Sequence, residues 1–149
     1  MNLPVSLKKA VQLDLCRQAL RVWEEYCDQR STLDYVETVC GTKQVIDRDL
    51  PSDAIRAVTI GRDDTNVGYR YQEPMAAIQD HDLVFPDDIE LAYYSIYNLF
   101  GRYVSLRIDD DWIIVNQALS AHGDSSDYAL ILESAIKKIE GEQAAPRNH

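Results

Sequence analysis

The sequence predicts a mostly α protein, a single-domain helical bundle of about five to seven helices. Three observations carry this. Apolar residues recur at helical spacing over three long segments, only 6 of the 149 residues are Gly, and three firm helices need helical partners to pack against. A chain of this length can bury roughly 70% of its unfolded surface in one core.

The first helix is predicted over 6–29. At 100° per residue, Asp14, Arg17, Gln18, Arg21, Glu24, Glu25 and Asp28 form one narrow polar stripe. Val11, Leu13, Leu15, Cys16, Ala19, Leu20, Val22, Trp23, Tyr26 and Cys27 cover the rest, the pattern of a central helix packed on several sides. Arg21–Glu25 at i,i+4, and Asp14–Arg17 and Arg21–Glu24 at i,i+3, can pair within the stripe.

The second firm helix is predicted over 86–104, opened by Pro86 with Asp87 and Asp88 at the positive end of its dipole. Ile89, Ala92, Tyr93, Ile96, Tyr97, Leu99, Phe100, Tyr103 and Val104 share one face, and Tyr94 falls outside it beside Glu90 and Asn98. The third is predicted over 126–140, capped in the Asp124–Ser126 region and stopped by Gly141. Its inner side is Tyr128, Ile131, Leu132, Ala135, Ile136 and Ile139.

Residues 53–72 and 109–122 read as helices too, the former ending at Gly61 and the latter placing Trp112, Val115, Leu119 and His122 on one side. The alternative is an α+β fold with one small hairpin in 55–72 or 103–117, because β-branched residues are dense there. The expected organisation is one globular helical domain over 1–140 and a flexible tail over 141–149.

Composition narrows the function. The formal net charge is -10, which disfavours nucleic acid as a ligand because phosphate binding relies on Lys and Arg. No apolar run approaches the ~20 residues of a membrane span, so no membrane partner is expected. Cys16, Cys27 and Cys40 form no CxxC pair, and Cys16 and Cys27 lie about 16 Å apart along one helix, too far for a disulfide. With no uninterrupted apolar core of a signal peptide near the start, a cytoplasmic protein is expected.

The excess charge is local. Residues 46–128 hold six arginines against sixteen acids, and the flanking segments are balanced. Asp is favoured at N-caps and turns, which accounts for much of the clustering. Beyond that, adjacent carboxylates repel and cost stability unless a helix terminus, an arginine or a partner offsets them. The candidate partner-binding residues are Asp63, Asp64, Asp87, Asp88, Glu90, Tyr94, Asp109, Asp110 and Asp111, with Tyr94 as the anchor.

Catalytic patterns are incomplete. His81–Asp82 resembles the dipeptide of metal-dependent phosphohydrolases, but those need an upstream His and the chain has none. Glu24, Glu25 and Asp28 are similar to a fragment of the paired carboxylate motifs of helical nucleotide pyrophosphohydrolases, without a second motif. No GxSxG, P-loop or dinucleotide fingerprint is present.

No cofactor, metal site or catalytic residue is therefore expected. The expected function is a non-catalytic acidic protein-binding module that docks a basic partner protein, in the manner of an immunity protein or antitoxin covering a cationic toxin. The alternatives are a small all-α Mg²⁺- or Mn²⁺-dependent hydrolase and a structural subunit of a homo-oligomer, a homodimer included.

Overall fold

The computed structural model describes residues 3–29, 35–39, 42–46, 48–61, 67, 85–105 and 109–144. In chain order these hold α1 (Val5–Asp28), β1 (Tyr35–Val39), β2 (Thr42–Ile46), α2 (Leu50–Ile60), α3 (Asp87–Tyr103), α4 (Asp111–Ser120) and α5 (Tyr128–Ala144). The fold is mostly helical, and the buried hydrophobic side chains of the described residues form one cluster. No helix among the described residues is long and apolar enough to cross a membrane.

The wide apolar arc of α1 makes it central, and it packs against each of α2, α3, α4 and α5. Val11, Leu15, Cys16, Ala19 and Trp23 are wholly inaccessible to solvent. Burying such a side chain is worth about 1.5–3 kcal/mol. The polar stripe is less solvated than its composition suggests. Asp14 is buried beneath α5, where Lys138 Nζ (2.8 Å) and Gln18 Nε2 (3.0 Å) donate to its carboxylate. Arg17 reaches Thr59 of α2 instead of Asp14.

Contacts fix the directions of the helices. Tyr103 meets Gln12, Cys16 lies at the Ser95 carbonyl, and Trp23 stacks near Tyr93, so α1 and α3 run antiparallel. Trp23 also donates to the Arg48 carbonyl while Arg17 meets Thr59, so α2 opposes α1 as well. Asn98–Gln117 and Arg102–Asp111 set α4 antiparallel to α3, starting where α3 ends.

Where described, the two ambiguous stretches form the expected helices, and a hairpin forms elsewhere. The 55–60 part of the first proposed hairpin is helical within α2, which ends at Gly61 in the left-handed conformation (φ 75°) that glycine adopts without strain. Of the other stretch, 103–117, Tyr103 ends α3 and 111–117 lie in α4, and 106–108 fall outside the described residues. The hairpin that does form joins β1 to β2 antiparallel, with Val39 opposite Thr42 and Tyr35 opposite Ile46.

Helix α5 runs through Gly141 to Ala144, so the tail does not begin at 141. A Cβ at Gly141 would meet nothing. Glu140, Glu142, Gln143 and Ala144 are good helix formers that offset the ~1 kcal/mol glycine cost. The start of α5 is capped by Asp127, whose carboxylate accepts from Leu130 N.

Candidate functional site

The antiparallel arrangement decides which charged residues share a surface. The C-terminal turns of α1, the start of α2 and the start of α3 converge around Trp23. Its indole N–H donates to the Arg48 carbonyl (2.9 Å), and its ring lies 5.6 Å from Phe85, edge-on, and 5.1 Å from Tyr93. Tyr26 closes the group 5.9 Å from Phe85. This aromatic plug holds three helix ends together.

Around it stand Glu24, Glu25 and Asp28 of α1, Asp49 and Asp53 of α2, and Asp87, Asp88 and Glu90 of α3, against a single arginine in these stretches, Arg48. Arg48 Nη2 donates to Asp28 Oδ1 at 2.6 Å, and that carboxylate raises the guanidinium pKa further. Asp53 of α2 and the three acids of α3 sit in first turns, and Asp49 is the N-cap of α2, where the helix dipole favours them. Those of α1 sit at the opposite, negative end, and the last turn of α1 holds no basic residue. Among the described residues neither Glu24 nor Glu25 has an ion-pair partner.

Tyr94 lies one turn beyond this end on the stripe of Asp87 and Glu90. It is half-buried rather than projecting freely, and its hydroxyl donates to Glu90 Oε1 at 2.6 Å. Burial, then the Glu90 carboxylate, pushes the phenol well above its usual range.

The opposite end is built from the start of α1, the end of α3 and the start of α4. By the 1.5 Å rise per residue, the 17 residues of α3 hold it about 25 Å from Asp87 and Asp88. Its centre is Asp111. Gln12 Nε2 (2.9 Å), Lys8 Nζ (3.0 Å) and Arg102 Nε (3.2 Å) all donate to the Asp111 carboxylate. Burial alone would raise its pKa, but these donors outweigh burial and hold it below the usual value.

Gln12, fully buried, also accepts from the Tyr103 hydroxyl. Lys9 and Arg102 lie over the Tyr103 ring at 5.4 and 5.2 Å. Burial and the nearby Asp111 push the Tyr103 phenol up to about 12.

The three adjacent aspartates thus have three environments. Asp111 is the hub of an internal network, Asp110 caps α4 by accepting from Trp112 N (3.0 Å) and Ile113 N (3.3 Å), and Asp109 is exposed. Asp63 and Asp64 lie outside the described residues, as do Cys40 and His81–Asp82. The candidate acids therefore form no single face: Asp87, Asp88, Glu90 and Tyr94 belong to one end and Asp109–Asp111 to the other.

Sequence reasoning missed two features. It counted Glu24, Glu25 and Asp28 as a self-paired stripe, and it turned Trp112 inward. In the structure Ile114, Val115, Ala118 and Leu119 are buried, while Trp112 is 50% and Ile113 38% exposed. The signal was the pairing of 114/115 with 118/119, which leaves 112, 113 and 116 on the outer side.

Other reactive groups are enclosed. Cys16 is buried and its thiol pushed up to about 12 by desolvation, and Cys27 is buried as well. His122 follows the last turn of α4, where a cation was expected, yet its Nε2 is buried without a partner and burial lowers its pKa. Among the described residues no three His, Cys, Asp or Glu side chains are grouped where they could hold a metal ion. Comparison with family models, curated proteins and solved structures gave no match.

Proposed function

We propose that this chain is a non-catalytic protein-binding module that docks a basic partner protein through the acidic end formed by α1, α2 and α3. The physical class is that of an immunity protein or antitoxin, which covers a cationic surface with carboxylates. The observation that carries the reading is the last turns of α1. Glu24 and Glu25 stand at the negative end of a helix dipole with no basic residue in the last turn, an arrangement that costs about 0.3–1 kcal/mol per exposed charge, while Asp28 beside them is paired with Arg48. The facing N-termini of α2 and α3 offset part of that, but they carry acids of their own. A surface that lowers the stability of its own fold gains from a cation supplied from outside. Charge of this density also speeds association and makes it sensitive to salt.

The reading has a test that needs no partner in hand. Glu24→Gln/Glu25→Gln should stabilise the free protein by about 0.5–1 kcal/mol, raising Tm by about 2 °C. The same variant should retain less of any basic protein held by the wild type at low salt. A lower Tm would mean that these carboxylates serve the fold, and the reading would fail.

A further inference from the structure

We propose that the opposite end of the bundle is a self-association surface, on which a second copy of this chain docks across Trp112 and Ile113. The inference stands apart from the reading of the acidic end. Trp112 (50% exposed), Ile113 (38%) and Val5 (77%) lie at this end, with Asn116 beside the first two on the outward face of α4.

Trp112 and Ile113 are held rather than draped. Their backbone N–H groups are fixed by the Asp110 carboxylate, and the preceding residue, Asp111, is clamped from α1 by Lys8 and Gln12 and from α3 by Arg102. An exposed aromatic on a helix start whose backbone is already held by three side chains from two helices needs no backbone ordering on docking, a property of an interface anchor.

Charge selects the occupant. Among the described residues, Lys8, Lys9 and Arg102 balance Asp109, Asp110 and Asp111 here, whereas acids outnumber bases at the other end. A basic partner would meet cations at this end. Two copies carrying -10 each repel wherever acidic surfaces meet. Joined at the balanced end, they keep their acidic ends on the far sides, separated by far more than the ~8 Å Debye length of physiological salt. A two-fold contact also needs a patch that complements itself. This one has apolar anchors flanked by both signs, Lys9 over the Tyr103 ring and the exposed Asp109 among them.

The experiment is sedimentation velocity of the full chain at 0.15 M salt from about 5 to 500 µM. A small patch of this kind predicts a weak dimer that forms within this concentration range. The weight-average mass should therefore rise from 17.0 kDa towards twice that value. Trp112→Ser/Ile113→Ser should remain monomeric throughout while melting within a few degrees of the wild type. Asp109→Lys, which touches no apolar contact, should weaken the dimer several-fold. Glu24→Gln/Glu25→Gln should leave it dimeric. A wild type that stays monomeric at 500 µM, or a dimer unaffected by Trp112→Ser/Ile113→Ser, overturns the proposal.

Discussion

Replacing the three aspartates at 109–111 one at a time by alanine should give three different stabilities. Asp111→Ala removes the acceptor of Gln12, Lys8 and Arg102 at 2.9, 3.0 and 3.2 Å. Gln12 has no solvent access, and the substitution takes from its Nε2 the carboxylate acceptor at 2.9 Å. Removing one partner of a buried amide hydrogen bond costs about 1–3 kcal/mol. The two ion pairs are partly exposed, with side-chain accessibilities of 18% and 29% for Lys8 and Arg102, so screening reduces their share to about 1 kcal/mol together. The expected loss is about 3 kcal/mol, or about 6–12 °C in Tm for a chain of this length.

Asp110→Ala removes only the cap of α4, about 1 kcal/mol. Asp109→Ala should fall within ~0.5 kcal/mol of the wild type. The assay is urea unfolding followed by the fluorescence of buried Trp23.

Acid unfolding gives a second check on the same residue. The folded pKa of Asp111 lies below its ordinary value of 3.8, so the unfolded chain binds the proton first. The stabilisation is complete above about pH 4 and is lost as pH falls through the folded value. Asp111→Ala should flatten that limb. Equal losses for Asp111→Ala and Asp109→Ala would refute the hub assignment.

Further outcomes follow from the other enclosed groups. His122 is held neutral by burial, so wild-type stability should decline as pH falls below about 6.5, and His122→Gln should show a shallower decline between pH 7.5 and 5. Cys16 should resist alkylation by iodoacetamide in the folded protein at pH 8 and react on unfolding; rapid native labelling would contradict its burial. Trp23→Phe leaves the Arg48 carbonyl without its indole donor and should cost about 1–3 kcal/mol, while the remaining Trp112 should emit as a water-exposed indole. Asp14→Ala should destabilise more than Lys138→Ala, because Asp14 is the buried partner and Lys138 the exposed one.

The helices were legible because their apolar faces repeat at the helical period: from Val11 onward the buried apolar side chains of α1 and α3 lie within the arcs read from sequence, Trp23 and Tyr93 included, whereas the buried Gln12, Asp14 and Ser95 lie outside them. The hairpin at 35–46 was not read, although Tyr35–Val39 and Thr42–Ile46 are rich in β-branched residues around Cys40–Gly41. Attention to denser β-branched runs elsewhere misplaced it. Helix α4 was read, but with Trp112 assigned inward by its hydrophobicity.

The candidate site was less legible, because what makes it a surface is tertiary. Nothing local says that Glu25 of α1 and Asp87 of α3 share an end, and nothing local separates Asp111 from Asp109. Asp14 illustrates the converse: it reads as solvated along the helix and is buried because α5 lies across it.

The most direct test of the docking claim compares three baits in the same native lysate, washed at about 50 mM and about 1 M salt. They are the wild type, Glu25→Lys/Asp87→Lys/Asp88→Lys at the acidic end, and Asp109→Lys at the other. The account predicts a basic protein retained by the wild type and by Asp109→Lys at low salt, released at high salt as screening tightens, and absent from the acidic-end variant. Equal retention by all three baits, or no basic protein on any of them, would contradict it.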